Sequence, residues 1–284
     1  MSSVDRTPRQ NSFGRTGRVA PSLMKPGDAM YDLTGKTILV TGASKGIGAA
    51  IAGKLGTSGA FVVGQYGSDR EGAEKATSHL NPSRKRLIHA DFNDLDSVEA
   101  LWKRALEWQG RIDVLVNNAA IMLWDGGVDQ PLDRWDAVWN ETLRINLLAP
   151  ARLIRQAIRH YLDFGGGTVI TISSWAAQKG VTNPASIAYG AAKSAIHNAT
   201  QTIARAYAAQ GILAYIVAPG VVSTRLSNQF AETQGGKEVI TESLAMKEWV
   251  SPEEVANTVE FLSSGVARHL SGATLDLNGA SYIR

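Results

Sequence analysis

From Tyr31 onward, short apolar or β-branched runs alternate with longer segments whose apolar positions recur every three or four residues. The first run, Lys36-Thr37-Ile38-Leu39-Val40-Thr41, carries no charge after its first residue, as suits a strand covered on both faces. Further strands are expected at Ala60–Tyr66, Arg86–Ala90, Ile112–Asn118, Gly167–Ser173, Ile212–Ala218 and Ala273–Leu277. Helical patterns fall near 47–57, 69–80, 94–109, 133–163, 186–209 and 251–263. This alternation implies right-handed crossovers and an α/β architecture: a doubly wound parallel sheet of about seven strands with helices on both faces. Ligands of such sheets bind beyond the carboxyl ends of the strands, near the point where strand order reverses. No internal repeat of fixed period suggests a solenoid or propeller.

Composition narrows the picture. The chain has 284 residues, 44% of them hydrophobic and 19% charged, enough for a sizeable core and against global disorder. With no cysteine, disulfide frameworks, thiolate metal sites and cysteine nucleophiles are excluded, and a reducing compartment is compatible. No apolar run approaches the ~18 residues of a membrane span. Together these point to a soluble, cytoplasmic protein. The net charge of +3 belongs wholly to residues 1–30, where Arg6, Arg9, Arg15, Arg18 and Lys25 face only Asp5 and Asp28. That segment lacks apolar periodicity and is expected to be a flexible basic extension, followed by a single catalytic domain over 31–284. The neutral remainder argues against nucleic-acid binding by the body of the protein.

The stretch Thr41-Gly42-Ala43-Ser44-Lys45-Gly46-Ile47-Gly48 joins the first strand to a helix. Glycines there permit a tight turn and let a diphosphate approach backbone amides at a helix N-terminus. The spacing is Gly-x3-Gly-x-Gly, and no Gly-Lys-Ser/Thr ends it, so a kinase or ATPase loop is disfavoured. An acidic residue ending the second strand would hold a ribose 2′-hydroxyl. The matching place holds Tyr66, while Lys45, Ser68 and Arg70 could attract a 2′-phosphate, so NADP(H) is favoured over NAD(H). Asp69 works against that reading, and Lys45 and Arg70 could equally be solvated charges. Asp91, followed by Phe92, could accept a hydrogen bond from an adenine amino group; alternatively Asp91 or Asp94 caps the next helix. Asn118, Ala119 and Ala120 end the fourth strand with residues small enough to lie against a ribose.

Tyr189 and Lys193 are four residues apart, hence on one helix face. A phenol titrates near 10, and an adjacent ammonium is expected to lower that value and make Tyr189 a usable general acid. The same spacing also arises on amphipathic helices with no chemistry. Ser173 and Ser174 end a strand where this architecture keeps its reacting groups, and either could instead only bond the turn. No Gly-x-Ser-x-Gly elbow surrounds them, and the five histidines lack metal-ligand spacing, so no metal is expected.

Taken in order, Thr-Gly-x3-Gly-x-Gly at 41–48, Asn-Asn-Ala at 117–119, Ser174 and Tyr-x3-Lys at 189–193 resemble the short-chain dehydrogenase/reductase family, of its NADP-preferring type. The resemblance extends over nearly all of 31–284 and implies a Rossmann-like fold. By that likeness Tyr189 would be the acid/base, Lys193 would tune it and grip the nicotinamide ribose, and Ser174 would polarise a carbonyl. Asn146 would hold a water in the proton relay. Ser44, Ile47, Pro219, Gly220, Val222 and Thr224 would join the cofactor site, with Thr224 on the carboxamide. Family members usually assemble through long helices, which implies a homodimer or homotetramer. Ala120 departs from the family's usual glycine, Asp276-Leu277-Asn278-Gly279 from its terminal signature, and the stretch 175–188 is long.

The expected activity is interconversion of a carbonyl and an alcohol on a small molecule, with a ketone or 3-oxoacyl reductase using NADPH as the leading form. A non-catalytic dinucleotide sensor and an NAD-dependent alcohol or sugar dehydrogenase are the alternatives. Trp124 and Trp175 are candidates for a wall against a flat or apolar ketone, Trp249 stands in a variable segment, and Gln229 to Lys237 has the composition of a mobile lid.

Overall fold

The computed structural model describes residues 30–284, so the expected basic extension lies outside the described residues apart from Met30. Seven strands, β1 (Thr37–Val40), β2 (Phe61–Tyr66), β3 (Lys85–His89), β4 (Val114–Asn117), β5 (Gly167–Ile172), β6 (Ile212–Pro219) and β7 (Thr274–Leu277), form one sheet. Its order is β3-β2-β1-β4-β5-β6-β7. Every adjacent pair is parallel, with Val40 opposite both Gly64 and Val116. The order reverses between β1 and β4, and the crevice above that pair is where a ligand is expected. Thr41, Asn118 and Ser173, anticipated as strand ends, stand one residue past β1, β4 and β5, and Asn118 and Ser173 line that crevice.

Ten helices surround the sheet among the described residues: α1 (Gly46–Thr57), α2 (Arg70–Ala76), α3 (Leu95–Gln109), α4 (Leu132–Leu143), α5 (Ala149–Asp163), α6 (Ala176–Lys179), α7 (Ile187–Tyr207), α8 (Arg225–Glu232), α9 (Lys237–Ser243) and α10 (Pro252–Ser264). Strands buried on both faces need cover on both. On one side Leu39, Val63, Leu115 and Val169 pack under α3, α5 and α7; on the other Ile38, Val40, Val116 and Ile170 pack under α1 and α10. Ser251 and Glu254 form a reciprocal capping box at the start of α10. The buried carboxylate of Glu260 on α10 accepts hydrogen bonds from the Met30 and Tyr31 amides and the Ser58 hydroxyl, 3.4 Å from the Lys54 ammonium on α1. It ties the first described residues to two helices.

One expectation changes. The single helix anticipated over 133–163 is two, α4 and α5, separated by a π-helical turn at Arg144–Leu148. Pro150, which has no amide hydrogen to donate, stands in the first turn of α5, and the wider turn before it points Asn146 inward. The polar 229–237 stretch, read as a mobile lid, is the end of α8, a turn over 233–236 and the start of α9. Ala231 of α8 and Ile240 of α9 are buried with Val221 and Leu244, and Phe230, Trp175 and Trp249 pack on them. Among the described residues no helix is long and apolar enough to cross a membrane.

Candidate active site

A cavity of about 740 Å³ opens over the β1/β4 switch point, within the usual size range of small-molecule sites. Its floor is the turn after β1. Gly42 and Gly46 have φ of +68° and +55°, a left-handed backbone that favours glycine. A Cβ at Gly48 would lie 2.1 Å from the Gly42 carbonyl and 2.4 Å from Asn118 Nδ2, so only glycine lets α1 start this close to β4. The turn is held from three sides. Asn118 donates to the Thr41 carbonyl at 2.8 Å; the Thr41 hydroxyl accepts from the Asn118 and Ala119 amides at 2.9 and 3.0 Å. Gln65 accepts from the Gly42 amide at 2.7 Å and donates to the Ala90 carbonyl at 2.8 Å. Nothing acidic stands in the first turn of α1, whose amides are left for an anion.

Next to this cradle the cavity is lined by Ser44, Lys45, Gly67, Ser68, Asp69, Asp91 and Phe92. Lys45 Nζ is 3.9 Å from the Asp69 carboxylate, which also caps α2 by accepting from the Gly72 amide at 2.9 Å. The residue read at the ribose position, Tyr66, is not there: strand alternation sends Gln65 to the cavity and Tyr66 onto the His89 ring, 5.7 Å away. Asp94, not Asp91, caps α3, accepting from the Asp96 amide; Asp91 accepts from the Asn93 amide and remains in the cavity wall.

Tyr189 and Lys193 line the opposite part of the cavity, both buried on α7. Lys193 Nζ donates to the Ile172 carbonyl at 2.8 Å, at the end of β5. Burial drives both groups toward neutrality: the phenol is pushed up to about 12, against an opposing hydrogen bond from Ser174, and the ammonium is pulled down to about 8. The expected lowering of the phenol is therefore not what the fold does: burial raises it, and the opposing influence is the Ser174 hydrogen bond. Ser174 is buried beside Tyr189, its hydroxyl also accepting from the Ala176 amide at 3.1 Å, while Ser173 is the serine in the cavity wall.

Sequence comparison agrees with this geometry. A family model described as enoyl-(acyl carrier protein) reductase matches residues 42–279. Glucose 1-dehydrogenase 2 of Bacillus subtilis is 34% identical over 254 residues, 88% of this chain and 96% of that one. The 3-oxoacyl-(acyl-carrier-protein) reductase of Escherichia coli is 34% identical over 250 residues, 88% of this chain and 98% of that one. The chain belongs to the short-chain dehydrogenase/reductase family. A Beutenbergia cavernae protein solved with NADP bound at low occupancy superposes with a TM-score of 0.79 at 31% identity, covering 88% of this chain and 98% of that one.

As a short-chain dehydrogenase/reductase, the protein is an oxidoreductase acting on CH–OH groups, and NAD(P) dependence is typical of its family. The cradle closed by Gly42, Gly46 and Gly48, with free α1 amides above it, fits such a dinucleotide. Ile47, Asn118, Ala119, Ala120, Trp124 and Thr224 also reach the cavity. Others read as site residues do not line it. Asn146 lies beneath, its amide accepting from the Ile121 amide at 2.8 Å and donating to the Ile121 carbonyl at 2.7 Å, so it fixes the loop after β4. Pro219 and Gly220 bond the Trp175 amide and the Leu277 carbonyl, and Val222 bridges to Val250. Trp175 packs on the α8–α9 cluster with Lys179 Nζ 3.7 Å over its ring, not toward the cavity. Its placement corrects the reading of it as a substrate wall.

Two residues that hold the turn were not singled out in the sequence, Thr41 and Gln65, while Ile121, Met122, Leu123, Arg225, Leu226 and Gln229 in the lining fall within the 121–131 loop and the variable 225–250 segment expected to flank the nicotinamide. The alternation of β2 could have shown Gln65, since it shares a face with Val63. The helical i, i+4 spacing of Leu226 and Phe230 could have shown α8.

Proposed function

We propose that the protein reduces a ketone or 3-oxoacyl-type carbonyl to the alcohol with NADPH. The observation that carries this reading is the pairing, in one cavity, of a buried and protonated Tyr189 with a glycine cradle at the other side of the β1/β4 crevice. When bound, the nicotinamide supplies the hydride. The chain's own groups do the rest. Ser174 hydrogen-bonds the carbonyl oxygen and holds the phenol. Tyr189 gives its proton to that oxygen as negative charge develops there. An alcohol is about as weak an acid as water, so even a phenol pushed up to about 12 is the stronger acid. Lys193 stabilises the resulting phenolate and holds the nicotinamide ribose. Asn146 keeps the loop after β4 in place. Thr224 takes the carboxamide, Asp91 the adenine, and Asn118 to Ala120 the ribose.

Lys45 and Ser68 support NADPH, because the Asp69 carboxylate is already engaged by Lys45 and by the Gly72 amide. That same carboxylate favours a second reading, an NAD-dependent alcohol or sugar dehydrogenase, if it turns to a ribose hydroxyl instead. The relatives act, by name, on a sugar and on an acyl thioester at equal identity, so family membership leaves the substrate to the wall. Ile121, Met122, Leu123, Trp124 and Leu226 make that wall apolar, which supports a flat or apolar ketone. Exposed Leu132, Leu148 and Ile187 on the α4, α5 and α7 side support assembly as a homodimer or homotetramer. The test follows the nicotinamide absorbance in both directions: depletion of NADPH and of NADH over a panel of ketones and aldehydes, and reduction of NADP and of NAD over a panel of alcohols and sugars. Turnover with NADPH on apolar ketones is expected; turnover with NAD on alcohols or sugars alone selects the second reading.

A further inference from the structure

We propose that Arg225, the first residue of α8, clamps the cofactor's diphosphate from the side opposite the α1 amides; this rests on the nucleotide reading above. Arg225 lines the cavity together with Gly46 and Ile47. The preceding residue, Thr224, abuts the glycine loop: its Cγ2 lies 3.1 Å from where a Cβ of Gly46 would stand. Arg225 thus directly follows a residue in contact with the turn whose amides face the diphosphate.

Charge accounting singles it out. Three cations among the described residues line the cavity. Lys45 is paired with Asp69, and Lys193 is buried on the Ile172 carbonyl. The exposed Arg225 side chain makes no hydrogen bond, ion pair or ring contact among the described residues. A diphosphate brings two negative charges, and a helix N-terminus offsets about half of one. The remaining charge needs a cation, and the planar fork of a guanidinium matches phosphate oxygens in pairs. Because α8 also carries Phe230, stacked 6.0 Å from Trp124, a diphosphate held by Arg225 fixes the element that closes the apolar wall. Cofactor binding thereby orders the substrate side of the cavity.

The experiment measures binding without turnover. NADPH and NADH are titrated by nicotinamide fluorescence into the wild type, Arg225→Gln and Arg225→Lys, with adenosine 2′-monophosphate as a competitor that lacks both bridging phosphates. Arg225→Gln is expected to raise Kd for both dinucleotides by the same factor, roughly tenfold, with Arg225→Lys recovering part of it. Binding of adenosine 2′-monophosphate stays unchanged. Unchanged dinucleotide affinities in Arg225→Gln overturn the clamp. A loss confined to NADPH overturns it as well, placing the guanidinium at the 2′-phosphate, and so does equal weakening of the competitor. A wild type that binds neither dinucleotide overturns the nucleotide reading itself, an outcome distinct from a wild type that binds and a variant that binds equally well.

Discussion

Lys193 Nζ stands 5.8 Å from the centre of the Tyr189 ring and gives its hydrogen bond to the Ile172 carbonyl, so the two groups share one buried wall with the ammonium anchored to the end of β5. Burial makes charge costly for both. The consequence is a reduction-ready state at neutral pH: a phenol that keeps its proton and a lysine that stays charged until about pH 8.

The lysine's shift makes stability depend on pH. Its folded value, about 8, lies below the ordinary 10.5, so between these the unfolded chain holds a proton that the folded chain has released. The cost of burying the charge is thus fully present below pH 8 and relieved as pH rises toward 10.5. Stability gains at most about 1.4 kcal/mol per pH unit in that window. Tyr189 acts oppositely above pH 10, where the unfolded phenol ionises first. Denaturant unfolding from pH 7 to 10 should show the rise in the wild type and its loss in Lys193→Met. An identical slope in both would contradict the assignment.

Cofactor choice turns on the Lys45–Asp69 contact. Lys45→Ala should raise Kd for NADPH by roughly tenfold and change NADH far less. Asp69→Asn keeps an acceptor for the Gly72 amide but removes the negative charge, so NADPH should bind several-fold more tightly, a change on the order of 1 kcal/mol. Isothermal titration checks both; equal effects on the two dinucleotides would count against a 2′-phosphate at this end.

Gly48→Ala places a methyl 2.1 Å from the Gly42 carbonyl, where backbone has to move. It should cost about 1–3 kcal/mol of stability and most of the dinucleotide affinity. Gly67→Ala is the control, with nothing within 4 Å of the added methyl, and should stay within about 0.5 kcal/mol of the wild type. Denaturant midpoints separate the two.

The strand runs, the glycine turn and the Tyr189–Lys193 spacing were legible because each follows from local pattern. Charge-free β-branched runs make doubly covered strands, and residues four apart on a helix share a face. What escaped depends on tertiary context. The break between α4 and α5 follows from Pro150, yet nothing local says that the turn before it swings Asn146 under Ile121. Tyr66 and Gln65 are one position apart, and which faces the crevice is fixed by the register of β2 against β1, not by residue type. The Tyr189 phenol was expected to be acidified by proximity; burial, invisible in sequence, raises it instead. The i, i+4 spacing of Leu226 and Phe230 is local, but that it sets Phe230 against Trp124 is not.

The account's central claim is that the Tyr189 hydroxyl delivers the proton. Its most direct test is single-turnover reduction, by bound NADPH, of a ketone that the wild type accepts, compared with Tyr189→Phe. The rate should fall by roughly 10²–10⁴-fold while NADPH binds within about twofold of the wild type. A phenylalanine variant that reduces the ketone at the wild-type rate would contradict it.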